Sequence, residues 1–239
     1  MAQSGALADQ PPSYQESAES EAVISATNTL QPAVLRLAER FVYSSESSTS
    51  PPLYELSHSI DYLRETHHAV TFERLDHSIK GKTTTTPQVT ARKKLIYTLR
   101  HPPEITFPEF PYYAEASSRQ AFGNLAIKKV RSLGRKKTLI VSRIKPSSKK
   151  DVDFEEAEKL FELRQLERKS TVYEWALASS PQLQVLAVED DEDGLYRLTI
   201  KVPADRMTID ALVAAWCLRL WQDVAVHNHQ PGGWKNCAY

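Results

Sequence analysis

The chain has 239 residues, of which 41% are hydrophobic and 25% are charged, a composition typical of soluble globular proteins. Thirty basic residues balance thirty acidic ones, so the net charge gives no reason to expect nucleic acid as a partner. Two cysteines are too few for a disulfide framework, and the first residues lack the apolar run of a secretory signal. We therefore expect a cytoplasmic protein.

The first 28 residues are rich in Ser, Glu, Ala and Gln, and Tyr14 is their only aromatic residue. Such a segment buries too little apolar surface to offset the entropy of ordering. We expect a disordered tail over 1–28, one folded domain over 29–227, and a flexible end over 228–239.

Alternating apolar and polar residues predict several short strands in the first half of the domain. The segment that begins at Leu30 is ambiguous, because Val34, Leu37 and Phe41 also suit a helix. Clearer strands are expected at Leu53–Leu56, Ala69–Leu75, Lys94–Arg100, Gly123–Val130 and Lys137–Ile144. Four prolines forbid a helix between His101 and Tyr113.

The second half begins with Asp151–Glu167, where apolar residues at roughly helical spacing follow an acidic start. This pattern predicts an amphipathic helix. Strands are expected at Val172–Leu177, Gln184–Glu189 and Leu195–Val202, and Asp193-Gly194 predicts a tight turn between the last two.

An apolar helix is predicted to follow, with Thr208 as its N-cap and with apolar residues nearly all round as far as Trp221. Asp210 and Arg219 interrupt this run, which is too short to cross a bilayer. A helix of this kind has to be enclosed by the rest of the protein.

Many short strands followed by one strongly apolar helix are the layout of the tubby-like barrel. The segments Tyr173-Glu-Trp, Leu186-Ala-Val-Glu-Asp, Gly194-Leu-Tyr-Arg-Leu and Asp210-Ala-Leu-Val-Ala-Ala-Trp-Cys resemble the C-terminal half of the tubby-like and LURP-one-related superfamily, including its fungal members. The resemblance implies a mainly β (α+β) fold, an antiparallel β-barrel around the apolar C-terminal helix. It brings no catalytic motif, and members of the superfamily are mostly binding, scaffold or lipid-associated proteins.

The chain contains two Pro-Pro-x-Tyr tetrapeptides, the sequence that WW domains bind. Their prolines are pre-set in a polyproline II helix, and the Tyr ring fills a pocket a fixed step beyond them. The first copy comprises Pro11, Pro12 and Tyr14, and it lies in the predicted tail. It predicts an adaptor for WW-domain proteins, which include HECT-type ubiquitin ligases; a chance tetrapeptide is the alternative.

The second copy comprises Pro51, Pro52 and Tyr54, and it runs directly into a predicted strand. Two interpretations are open. Either this copy is also free, and the two together bridge tandem WW domains, or its prolines begin a strand and Tyr54 is a core or cross-strand residue.

The segment from Gly123 to Lys150 contains many Lys and Arg residues and no Asp or Glu. They predict, as an alternative function, a peripheral site for phosphoinositides or another anionic membrane surface. The candidate residues are Lys128, Lys129, Arg131, Arg135, Lys136 and Lys137. The competing interpretation is a solvated strand–loop–strand face that pairs with the acidic stretch from Asp151 to Glu158.

No linear motif for catalysis is present: the sequence lacks a Gly-rich phosphate loop, a Gly-x-Ser-x-Gly elbow and a Cys/His nucleophile pair. His67-His68 and His227-Asn-His229 with Cys237 lack the spacing of a zinc site. We therefore expect no catalytic residues, no metal and no cofactor.

Overall fold

The computed structural model describes residues 29–44, 50–80, 88–102, 109–130, 138–146, 154–166, 171–180, 184–192 and 194–229. Within these residues, twelve antiparallel strands form a closed barrel, and one long helix, α1 (Arg206–His229), runs through its core. The predicted fold class is thereby confirmed.

The barrel is an up-and-down meander in which each strand pairs with its neighbours in sequence, and the last strand pairs with the first. Its strands are β2 (Val34–Ala38), β3 (Phe41–Ser44), β4 (Tyr54–Leu56), β5 (Ala69–Lys80), β6 (Gln88–Arg100), β7 (Tyr113–Ala116), β8 (Asn124–Val130), β9 (Thr138–Pro146), β10 (Phe154–Gln165), β11 (Tyr173–Leu177), β12 (Val185–Glu192) and β13 (Leu195–Ile200). Outside the barrel, β1 (Thr29–Leu30) pairs with β14 (Ala204–Asp205) just before the helix, and a short 3-10 turn covers Ile60–Tyr62.

Helix α1 is buried on all sides, because every residue from Thr208 to Gln222 is buried. Its 24 residues extend over about 36 Å at the rise of an α-helix. Trp216 and Trp221 are fully buried and belong to the same apolar core as residues of the surrounding strands. None of the helices in the described ranges is both long enough and apolar enough to cross a membrane.

The N-terminus of α1 differs from the prediction. Asp205, rather than Thr208, caps the helix: its carboxylate accepts the Thr208 amide N–H at 2.9 Å and the Thr208 hydroxyl at 2.6 Å. The helix therefore begins at Arg206, one turn earlier than predicted. It ends at His229, two residues beyond the predicted domain boundary.

The amphipathic helix predicted over Asp151–Glu167 is wrong. The described part of this segment is strand β10, which pairs with β9 on one side and with β11 on the other. Phe161, Leu163 and Gln165 alternate into the interior and are buried. The Glu, Lys and Leu residues favour a helix locally. This preference is overridden because the segment pairs with a strand on each side and because every second residue is buried, as in a strand.

The ambiguous segment near Leu30 forms a hairpin, β2–β3, whose turn contains Glu39 with a positive φ of 54°. Strand β7 was missed, because it begins where the proline-rich segment ends. The other predicted strands are present. The hairpin at Asp193-Gly194 is confirmed, since Glu192 pairs with Leu195 and Gly194 has a φ of 76°.

Because α1 is enclosed, a substitution that removes a buried side chain from it should leave a cavity and lower the stability of the protein strongly. Leu212 is fully buried, so Leu212→Ala should lower the free energy of unfolding by about 2–5 kcal/mol in a urea titration. Val226→Ala is the matched control on the same helix, since Val226 is 46% exposed, and it should change stability by less than about 0.5 kcal/mol. Equal effects of the two substitutions would mean that the helix is not enclosed.

Candidate functional site

The second Pro-Pro-x-Tyr copy is part of the barrel wall. The Leu53 amide donates to Val42 O at 2.7 Å, and the Leu75 amide donates to Leu53 O at 2.8 Å. His77 donates from Nε2 to the Pro52 carbonyl at 2.7 Å. These bonds hold the tetrapeptide between two neighbouring strands.

Tyr54 itself points into the core. Its side chain is 2% exposed, its ring stacks on Phe72 with centroids 5.1 Å apart, and its hydroxyl donates to Asp210 at 2.8 Å. A WW domain has to surround this ring, which requires the strand to leave the barrel. The interpretation of Pro51, Pro52 and Tyr54 as a WW-binding site in the folded protein is therefore corrected: the prolines lead into β4, and Tyr54 is a core residue.

The first copy, Pro11, Pro12 and Tyr14, lies outside the described residues. The barrel closes through the pairing of β13 with β2, which begins at Val34, and all twelve strands of the barrel lie within the described residues. WW binding by this copy stays a prediction.

The basic segment is only partly described. Lys128 and Lys129 are exposed on β8, whereas Arg131, Arg135, Lys136 and Lys137 lie outside the described residues. Lys128 forms an ion pair with Glu109 at 2.6 Å. On the adjacent hairpin, Arg143 of β9 pairs with Glu158 of β10 at 3.2 Å. This part of the surface thus has the mixed charge of a solvated face.

Near the N-terminus of α1, a buried carboxylate is held by two strands. Asp210 accepts hydrogen bonds from the Tyr54 hydroxyl and from Arg74 Nη1, the latter at 2.6 Å, and Arg74 also bonds Asp76 at 2.8 Å. Burial raises the pKa of Asp210, and the Arg74 guanidinium opposes that rise. We call Tyr54, Arg74 and Asp210 the N-terminal polar cluster.

Near the C-terminal end of α1, a buried guanidinium is held in a similar way. Arg219 donates to Glu189 of β12 and to Asp223, one helical turn away, at 2.6 Å. Glu189 also accepts the indole N–H of Trp175 at 3.0 Å, and the Arg219 guanidinium lies 4.7 Å from the centroid of the Tyr173 ring. Burial raises the pKa of Glu189, and Arg219 opposes the rise. We call Glu189, Arg219 and Asp223 the C-terminal polar cluster.

A cavity of about 590 Å³ opens at this C-terminal polar cluster. Its walls come from one end of the barrel, where β10 and β12 finish, β11 and β13 begin, and the 3-10 turn approaches the helix. Five carboxylates line it: Asp61, Glu189, Asp190, Asp191 and Asp223. We call this cavity the acidic mouth.

No protein-family model, curated protein or solved structure matches this chain. The resemblance to the tubby-like and LURP-one-related superfamily thus stays a prediction, although the barrel and its enclosed helix are the architecture that it implies.

The acidic mouth was not predicted, because its residues are distant in sequence and form no motif. Two signals were available. Arg219 interrupts an apolar helix, and Glu189 follows Ala187 on the inward face of an apolar strand. Both are charges at positions that have to be buried, and such charges need partners. His227 also lines the cavity, but the described residues contain no group of His, Cys, Asp or Glu that could hold a metal ion.

Removal of the Tyr54 hydroxyl tests the N-terminal polar cluster. Tyr54→Phe keeps the buried ring but takes one donor from a buried carboxylate, so the free energy of unfolding should fall by about 1–3 kcal/mol. Tyr62→Phe is the control, since that side chain is 79% exposed, and should have almost no effect. A stability of Tyr54→Phe equal to that of the wild type would contradict the burial of this copy.

The alkaline pH dependence tests Tyr196, a wall residue of the acidic mouth. Burial, assisted by the Asp61 carboxylate, raises the pKa of Tyr196 to about 12, compared with 10.0 in an exposed tyrosine. Between these two pH values the unfolded chain loses a proton that the folded chain keeps, so stability falls as the pH rises. Tyr196→Phe should reduce the slope of unfolding free energy against pH by at most about 1.4 kcal/mol per pH unit. Identical slopes for variant and wild type between pH 10 and 12 would contradict this assignment.

Proposed function

We propose that this protein is a non-catalytic cytoplasmic scaffold that binds a WW-domain protein through Pro11, Pro12 and Tyr14. The observation that carries the proposal is the contrast between the two Pro-Pro-x-Tyr copies. Tyr54 is a buried residue with its hydroxyl bonded to the central helix, whereas the first strand of the closed barrel begins only at Val34, twenty residues after Tyr14. Only the first copy is then left for docking.

The position of β1 supports a tethered docking motif. Strand β1 begins at Thr29 and pairs with β14 next to the start of α1. The fifteen residues that lead from Tyr14 to Thr29 reach at most about 50 Å when fully extended. This reach lets a bound domain sit clear of the barrel surface, so docking needs no rearrangement of the fold.

The filled interior supports a non-catalytic role. In barrels that hold a ligand, the interior is the usual place for it. Here the interior is occupied by α1, whose residues are buried without interruption from Thr208 to Gln222. The absence of a linear catalytic motif from the sequence points the same way.

The partner class follows from the motif. WW domains are common in HECT-type ubiquitin ligases, so an adaptor or a substrate of such a ligase is the concrete form of the proposal. Because Tyr54 is buried, binding should be monovalent: one copy of this chain engages one WW domain, and no gain in affinity comes from bridging two domains.

The anionic-membrane alternative has less support. Of its candidate residues, Lys128 is already paired with Glu109, and the neighbouring Arg143 is paired with Glu158. Ion pairs of this kind reduce the local positive charge that attracts anionic lipid. Liposome flotation at low salt tests this alternative directly.

Calorimetry with a purified tandem WW-domain pair from a HECT-type ligase tests the proposal. The wild-type protein should bind, and Tyr14→Ala should weaken binding by at least about tenfold, because the ring that fills the WW pocket is lost. Tyr54→Phe is the matched control: it alters the tyrosine of the other copy, keeps the ring that holds the fold, and should bind like the wild type.

Two results would refute the proposal. Unchanged affinity of Tyr14→Ala would show that the first copy does not dock. Loss of binding in Tyr54→Phe, with the first copy intact, would show that the buried copy is the ligand after all.

A further inference from the structure

The segment that joins β4 to β5 covers one end of the central helix. Ile60 and Leu63 of this segment are fully buried and belong to the same apolar core as α1. The indole N–H of Trp221, on α1, donates to the carbonyl oxygen of Arg64 at 3.4 Å. Residues 57–68, which we call the end strap, thus pack against the C-terminal half of the helix.

A histidine side chain fixes the conformation of the end strap. The Arg64 amide donates to Nδ1 of His67 at 3.0 Å, and the His67 amide donates to the Arg64 carbonyl at 3.1 Å. A ring nitrogen accepts a hydrogen bond only while it carries no proton. The turn in this form therefore requires a neutral His67 with its proton on Nε2.

Other histidines with backbone partners act as donors. His68, His77, His101 and His227 each place a ring nitrogen within hydrogen-bond distance of a carbonyl oxygen, which can only accept. A second proton on these rings leaves their bonds intact. Among the described histidines that bond to the backbone, His67 is thus the one whose bond is lost on protonation.

The surroundings of His67 oppose an added proton. The His58 ring lies edge-on to the His67 ring with the centroids 5.6 Å apart, so two imidazolium rings would repel each other. Arg64 adds a positive charge to the same turn. Further charged or titratable side chains of the strap and of the elements packed against it have partners of their own; they are Asp61, Glu65, His68, His101, Arg219 and Asp223.

The closed strap also leaves polar atoms without partners. Among the described residues, neither Ser59 Oγ nor the Tyr112 hydroxyl has a hydrogen-bond partner, and both atoms are buried. Ser59 directly precedes the 3-10 turn, and the Tyr112 ring lies 5.6 Å from that of Trp221. Buried hydroxyls without partners cost free energy, and water satisfies them once they are exposed. This cost favours opening of the strap when the His67 bond is lost.

We propose that the end strap is a proton-sensitive closure, in which neutral His67 keeps the strap on α1 and protonation of His67 releases it. Histidine gains its charge as the pH falls from about 8 to about 5. The unfolded chain takes up this proton freely, whereas the closed strap excludes it from Nδ1. The unfolded state therefore binds more protons in this range, and stability decreases as the pH falls. Release of the strap requires no WW-domain partner.

Nuclear magnetic resonance of the isotope-labelled full chain tests this release. Between about pH 7.5 and about pH 5, the signals of the Arg64 amide and the Trp221 indole N–H should shift together, with the midpoint of the His67 ring protons. His67→Asn should abolish this shared transition, because the Asn side-chain oxygen accepts the Arg64 amide but takes up no proton. The fall in the folding equilibrium constant over the same range should be about twofold to tenfold smaller in this variant than in the wild type.

The matched control is His68→Asn, at the neighbouring position. The Asn side-chain amide can still donate to the His101 carbonyl, so this variant should keep the wild-type transition. Two results would overturn the proposal: an unchanged transition in His67→Asn, or protonation of the wild-type His67 ring while the Trp221 signal stays unchanged. The second comparison needs no variant, so it decides the question even if His67→Asn does not fold. Both are made without a WW domain, so failure of this closure and failure of WW docking are distinguishable.

Discussion

The rest of the structure depends on one constraint, the need to enclose a helix that is apolar on every face. No single sheet covers such a helix, because a sheet meets only one side of it. A closed barrel covers all sides and leaves no unpaired edge along its wall. Strands as short as Tyr54–Leu56 are sufficient because each is paired on both sides and packs on the same central core.

Two buried charges on the helix pair with particular strands of the barrel. Asp210 meets Arg74 of β5, and Arg219 meets Glu189 of β12, so each end of the buried helix is matched to one strand. Rotation of the helix, or a shift by one turn, would leave these charges buried without partners, at a cost of about 3–5 kcal/mol for each broken pair. We infer that the polar clusters select one orientation of a helix whose apolar surface would accept many. Asp210 also accepts the Tyr54 hydroxyl and so holds that side chain in the core. The acidic mouth lies at the other end of the helix, beside Arg219.

Much of the fold could be predicted from the sequence where local pattern and tertiary environment agree. The hairpin at Asp193-Gly194 and the apolar helix are local signals, and both were found. Strand β10 was missed as a strand because its residues favour a helix, and only its pairing with β9 and β11 decides otherwise. The acidic mouth could not be predicted, since it exists only once Asp61, Asp191 and Tyr173 are brought together by barrel closure.

Hydrogen–deuterium exchange with and without a bound WW-domain pair tests the central claim most directly, namely that the barrel retains one Pro-Pro-x-Tyr copy and leaves the other for docking. The account predicts new protection in peptides that contain Tyr14 and unchanged slow exchange at Tyr54–Leu56, whose amides belong to the barrel. Faster exchange at Tyr54–Leu56 on binding, without protection around Tyr14, would show that the partner opens the barrel to reach the second copy, and would contradict the account.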